Sequence, residues 1–157
     1  MDEQGQSIVV VPMQPKHIED LERLEQECFS TPWSFDSLVS ELSNPLAVFR
    51  VAEIGGQVAG YVGMQHIVDE GYICNIAVFS QYRQRGVATQ LMEALHQYAR
   101  ENDMVSLSLE VRESNIIAQQ FYKKFHFETV GKRKRFYSNP TEDALIMTRT
   151  FGGLFEF

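Results

Sequence analysis

The stretch Asn75–Ala88 constrains this chain more than any other. The apolar run Tyr72–Val78 reads as a strand, and a short turn then delivers Arg83-Gln84-Arg85-Gly86-Val87-Ala88 into Val87–Asn102. In that last segment Val87, Leu91, Leu95, Tyr98 and Ala99, with Met92 beside them, recur on one face of a helix. A strand feeding a helix through a basic, glycine-bearing loop makes an anion site. The first N–H groups of the helix have no partner, its dipole favours negative charge, and Gly86 has no Cβ to hold a phosphate off.

The rest of the chain narrows the class. Its 157 residues suffice for one domain with a full core, at 44% hydrophobic and 22% charged. No apolar run approaches the roughly 18 residues of a membrane span, and the acidic start Met1–Gln6 is unlike a secretory signal. A cytoplasmic protein with no membrane partner is the expectation. The net charge of −7 argues against direct nucleic-acid binding and suits a basic partner. Cys28 and Cys74 are too few for a disulfide framework, and His17, His66, His96 and His126 lack ligand spacing, so no metal is expected.

In chain order, Ser7–Met13 reads as an edge strand closed by Pro12, and Pro15–Cys28 as a helix with Ile18, Leu21, Leu24 and Cys28 inward and acids on the other face. The loop from Phe29 to Trp33 precedes Ser34, an N-cap for Phe35–Leu42. Gly55-Gly56 joins Ala47–Glu53 to Gln57–Ile67 as a hairpin. Ser106–Val111 alternates as a strand, Ser114 or Asn115 caps a helix through Lys124, and Glu128–Tyr137 and Asp143–Thr150 close the chain as strands around Ser138-Asn139-Pro140. The order β-α-α-β-β-β-α-β-α-β-β makes a mixed α/β (α+β) sheet, not a doubly wound one.

That order, with Arg83, Gly86 and Ala88 matching the signature Q/R-x-x-G-x-G/A, resembles the GCN5-related N-acetyltransferases (GNAT). Asn75-Ile76-Ala77-Val78, Leu109-Glu110-Val111-Arg112, Ser114-Asn115, Phe121-Tyr122, Phe125-His126-Phe127, Pro32-Trp33 and Glu142–Met147 sharpen it to the bacterial ribosomal-protein-alanine N-acetyltransferase (RimI) group. The chain departs from that group at His126-Phe127 for Gly-Phe, at Phe136-Tyr137 for a frequent Tyr-Tyr, and at Ala88 for the second glycine. The resemblance implies a GNAT fold, a mostly antiparallel twisted sheet of about seven strands with helices on both faces. It implies acetyl-CoA as cosubstrate, a protein N-terminus as acceptor and the N-terminal alanine of a small-subunit ribosomal protein in particular. It covers residues 1–157 as a single domain, with the aromatic 151–157 as a flexible or docking tail.

Amine acetylation must hold a thioester, deprotonate an ammonium and stabilise a leaving thiolate. For holding, the loop Arg83, Gln84, Arg85, Gly86, Val87, Ala88 and Thr89 supplies N–H groups and charge. By resemblance the backbone of Ile76, Ala77 and Val78 pairs with the pantetheine arm, and Asn115 contacts CoA. For deprotonation, Glu110 alternates onto the polar face of its strand with Ser106 and Ser108, where a carboxylate among apolar neighbours accepts a proton directly or through water. For the leaving group, the resemblance makes Tyr122 the general acid. Tyr122 lies seven residues after Asn115, two helical turns on, so both side chains are expected on the same face.

Trp33 and Phe35, with Phe136 and Tyr137, are candidates to line the acceptor cleft, and Glu113 and Glu142 to attract a basic acceptor. Lys132-Arg133-Lys134-Arg135 reads as a solvated sheet edge before it reads as a nucleic-acid site. Cys74 lacks a neighbouring histidine in sequence, so direct transfer is expected over an acyl-enzyme. Two alternatives stay open: acetylation of lysine side chains or a small amine, and a non-catalytic module that senses acyl-CoA. The presence of both Glu110 and Tyr122 argues against the second.

Overall fold

The computed structural model describes residues 6–151. Seven strands form one sheet in the order β1-β2-β3-β4-β5-β7-β6. They are β1 (Ile8–Pro12), β2 (Ala47–Ile54), β3 (Gln57–Ile67), β4 (Glu70–Val78), β5 (Ser106–Arg112), β6 (Glu128–Tyr137) and β7 (Glu142–Thr150). Every pairing is antiparallel except β4 with β5, which the helix α3 (Val87–Glu101) connects. The mixed sheet and the element order agree with expectation.

Local chemistry explains most boundaries. Gly55 and Gly56 both take positive φ, +57° and +79°, as a two-residue hairpin turn between twisted strands requires. Ser34 caps α2 (Phe35–Glu41) by accepting the N–H of Ser37 at 3.1 Å. The first expected helix splits into a 3-10 turn, Pro15–His17, and α1 (Ile18–Cys28). The His17 ring causes the split, because its Nδ1 accepts the N–H of Gln14 while its Nε2 lies 2.7 Å from Glu53, drawing the first turn tight.

Two apolar layers cover the two faces of the sheet. On one, α3 and α4 (Ile116–Lys124) set Leu91, Leu95 and Tyr122 against Val62, Leu107 and Leu109. On the other, α1 and α2 set Leu21, Leu24 and Leu38 against Phe49, Tyr61 and Ala77. Phe151, first residue of the expected tail, is buried with its ring beside His96; residues 152–157 and the acidic start 1–5 lie outside the described residues. Among the described residues no helix is long and apolar enough to cross a membrane.

The sheet is interrupted at its centre. β4 and β5 pair only at Glu70–Ser106, Gly71–Leu107 and Tyr72–Ser108, and then separate. Just past Tyr72, β4 carries a bulge: Ile73 and Asn75 oppose the adjacent residues Met64 and Gly63, which leaves Cys74 as the extra residue. A bulge bends its strand and sharpens the twist, so it turns the rest of β4 away from β5.

Candidate active site

The opening between β4 and β5 exposes the β4 backbone through Ile76, Ala77 and Val78, where a mid-sheet strand ordinarily has a neighbour on each side. An extended ligand pairing there completes the ladder. At the end of β4 the 3-10 turn Ser80–Tyr82 leads to Gly86, the N-cap of α3, at φ +84°. No side chain caps α3, whereas Ser34 caps α2 and Asn115 caps α4. Nothing lies within 4 Å of where a Cβ on Gly86 would be, so the space over the helix start is open. An extended arm ending in a phosphate group fits this surface.

The loop arginines both contact the protein itself. Arg83 turns back, its Nε donating to the Val78 carbonyl at 3.2 Å and its Nη2 to Cys28 Sγ at 3.5 Å, so it ties the loop to β4 and α1. Arg85 lies over the Tyr82 ring at 5.4 Å. Gln84 takes φ +63°, and Val87, Ala88 and Thr89 form the first turn of α3.

Glu110 sits where the two strands part, its side chain 6% exposed. Its partners are polar, where apolar neighbours were expected. The Tyr72 hydroxyl donates to Glu110 Oε1 at 3.0 Å and Arg133 Nε lies 3.4 Å from the same oxygen. Tyr122 enters from the opposite face of the sheet, 8% exposed, with rings of Phe121 and Phe127 around it. Its hydroxyl has no hydrogen-bond partner among the described residues, and burial pushes its pKa well above the usual phenol range. Tyr137 is half-buried under the Arg112 guanidinium, 4.5 Å from its ring. Burial, then the Glu110 charge, raise its pKa to about 12, so it is a neutral phenol near pH 7.

Asn115 does not share a helical face with Tyr122. It is the N-cap, at φ −85° and ψ 74°, and its Oδ1 accepts the N–H of Ala118 at 3.1 Å. A residue outside the helix lacks the helical repeat, so the two-turn argument does not apply to it. Glu113 and Glu142 also differ from expectation: Glu113 pairs with Lys132 at 3.2 Å, and Glu142 takes Arg112 at 3.1 Å and the Ser114 N–H at 2.6 Å. Those hydrogen bonds from Ser114 and Arg112 hold the Glu142 carboxyl below its ordinary range, so both acids serve local structure.

The four candidate aromatic residues fall into two groups. The Trp33 ring lies 6.0 Å from Phe49, with Phe35 following it at the start of α2. Phe136 and Tyr137 meet edge to face at 5.0 Å at the end of β6. Among the described residues no ring contact joins the two groups. The basic run lies on β6, the sheet edge, but Arg133 turns inward onto Glu110. Cys74 is half-buried, and burial with the nearby Glu41 charge pushes its thiol up to about 11, which disfavours a nucleophilic thiolate. Among the described residues no three His, Cys, Asp or Glu side chains group as a metal cage needs.

Sequence reasoning missed three participants. Tyr72 and Arg133 reach Glu110 across strands, and no local pattern announces such pairs. Glu25, assigned to the solvent face of its helix, is fully buried. Its spacing of seven from Ile18 and four from Leu21 puts it on the apolar stripe, a signal present in the sequence.

The sequence model of the Acetyltransferase (GNAT) family matches residues 18–127, which span α1 through the start of β6's approach and include the whole opening. This chain belongs to the GNAT family. As a GNAT acetyltransferase it is an acetyl-CoA-dependent enzyme. It is 40% identical over 136 residues to a Bacillus subtilis protein provisionally named a ribosomal protein bS18-alanine N-acetyltransferase, covering 86% of this chain and 90% of the relative. The ribosomal protein bS18-alanine N-acetyltransferase of Haemophilus influenzae is 34% identical over 134 residues, 82% of this chain and 90% of the relative. In three dimensions the chain is similar to the Escherichia coli ribosomal-protein-S18-alanine N-acetyltransferase, with a TM-score of 0.85, 25% identity and coverage of 92% and 94%.

Proposed function

We propose that this GNAT enzyme acetylates the α-amino group of a protein N-terminus, and that its acceptor is the N-terminal alanine of a small-subunit ribosomal protein. The observation that carries the proposal is that β5, just past its last pair with β4, carries Glu110 on one face and packs Tyr122 with its side chains on the other. A base on one side of a reacting carbonyl and a hydroxyl donor on the other suit direct attack by an amine. The names of the 40% and 34% identical relatives support the acceptor. A ribosomal-protein acceptor fits a cytoplasmic enzyme, and the gathering of all seven strands into one sheet supports a single domain.

Bound acetyl-CoA supplies the activated acetyl group. Ile76, Ala77 and Val78 hold the acyl arm through their backbone, and the loop from Arg83 to Thr89 holds the pyrophosphate on N–H groups. Glu110 takes the proton of the acceptor ammonium. An α-amino group with a pKa of about 8 gives that proton up more readily than a lysine at about 10.4, which favours an N-terminal substrate. Tyr122 faces the departing sulfur. An ordinary phenol near pKa 10 is already a weaker acid than a thiol near 8.5, and burial weakens Tyr122 further. Hydrogen-bond donation to the developing charge, ahead of full proton transfer, is therefore its role. Trp33, Phe35, Phe136 and Tyr137 guide the acceptor, and Asn115 acts as the cap of the helix that carries Tyr122.

The test is a peptide panel with either the N-terminus or every lysine blocked, scored by mass spectrometry for the modified site and by free CoA. Blocking the N-terminus abolishes transfer if the proposal holds. Transfer that persists on lysine overturns the acceptor, and CoA release with no acceptor modified overturns transfer itself.

A further inference from the structure

Glu25 is the acidic residue that the described structure buries completely, at 0% exposure. Its oxygens take three donors from three other parts of the fold. Oε1 accepts the Trp33 N–H at 2.8 Å, and Oε2 accepts the Tyr61 hydroxyl at 2.6 Å and Asn75 Nδ2 at 3.0 Å. Asn75 also donates to the Tyr61 hydroxyl at 3.3 Å. Every partner donates, so the acceptor-only ionised carboxylate matches the site even though burial raises its pKa. Packing alone does not call for a charge here, since Leu21 and Leu24 beside it fill the same layer with apolar groups.

The two ends of this network are informative. Trp33 lies in the loop that the proposed function assigns to the acceptor, and Glu22, one turn earlier on α1, accepts the N–H of Phe35, where that loop enters α2, at 3.1 Å. Asn75 lies in β4, one residue before the Ile76–Val78 edge that opens toward β5. We infer that Glu25 is a positioning residue that couples the acetyl-CoA strand to the acceptor loop, so that filling the β4 edge fixes Trp33 for the peptide. This rests on the proposed function. A strand held on one side only is free to shift, and pairing on its open side fixes Asn75, then the carboxylate, then the Trp33 backbone.

Glu25→Gln is the discriminating change. Its single carbonyl oxygen serves either the Trp33 N–H or the Tyr61–Asn75 side, and its NH2 then faces a donor on the other side. With an N-terminal-alanine peptide, the expected result is an acceptor KM raised about tenfold, with kcat and the acetyl-CoA KM each within about threefold of wild type. In wild type, acetyl-CoA slows amide exchange at Trp33 by about tenfold, and in Glu25→Gln and Asn75→Ala it does not. Equal rises in both KM values, or wild-type exchange at Trp33 indifferent to acetyl-CoA, overturns the inference. Thermal unfolding checks that Glu25→Gln is folded, and Asn75→Ala carries the same exchange test if it is not. The exchange arm needs acetyl-CoA only. A wild type that ignores the peptide therefore overturns the acceptor reading while the coupling is still decided.

Discussion

At the level of single residues the chemistry rests on one carboxylate and the hydroxyls around it. Glu110, the proposed base, keeps two polar partners, Tyr72 and Arg133, which orient it and hold it in place. Glu110→Gln keeps the shape and removes proton acceptance, so kcat should fall by about 10² to 10³, with the acetyl-CoA KM little changed. Tyr122→Phe should lower kcat by about 10-fold to 100-fold, the effect of losing one donor to developing charge; unchanged turnover would remove Tyr122 from the mechanism. Cys74 offers a converse test. With its thiol raised to about 11, its alkylation near pH 8 in a Cys28→Ser background should be about a hundredfold slower than that of an ordinary thiol. Cys74→Ser should retain turnover, and a labelled acyl-Cys74 would contradict direct transfer.

At the level of elements, three backbone features set the site. Gly86 at φ +84° opens α3 without a side-chain cap, and the space beside it is empty. Gly86→Ala therefore meets strain and no clash, which should cost about 1–2 kcal/mol in unfolding free energy and weaken acetyl-CoA binding measured by calorimetry. Asn115→Ala should cost about 1 kcal/mol by loss of the cap and disturb Tyr122 only indirectly, visible as a small fall in kcat. At the other end of α4, His126 sits at φ +66°, with its N–H on the Lys123 carbonyl and that of Phe127 on Tyr122. This is the Schellman pattern, which glycine favours. The departure from Gly-Phe in the sequence is thus a histidine in a glycine position, and His126→Gly should raise stability by about 1 kcal/mol in denaturant unfolding.

At the level of the whole molecule, stability should depend on pH through His96. It projects from α3 among the rings of Phe125, Phe127 and Phe151, its Nδ1 meets the Met92 carbonyl at 2.9 Å, and its Nε2 has no hydrogen-bond partner among the described residues. Burial lowers its pKa, the Met92 carbonyl opposes this, and Arg149, Arg100 and His126 lower it further. Below the unfolded pKa of about 6.5 the unfolded chain binds a proton that the folded chain resists, so stability is complete above that pH and declines as pH falls toward the folded value. Unfolding free energies between pH 7.5 and 5 should show the decline, and His96→Leu should flatten it.

Much of this was legible in the chain, for a physical reason. Helical stripes, strand alternation, the Gly55-Gly56 turn, the Ser34 cap and the loop before α3 depend on residues close in sequence, so pattern alone placed them. The family resemblance rested on the same local runs, which carried the fold and the candidates Glu110 and Tyr122. What the sequence could not place were meetings across the sheet. The bulge that parts β4 from β5, the grip of Tyr72 and Arg133 on Glu110, and the Glu25–Asn75 contact at a separation of 50 residues arise only when strands are laid side by side. Local periodicity determines what each segment is, and tertiary packing alone decides which carboxylate is left in solvent, which pairs with a base, and which is buried to hold the site together.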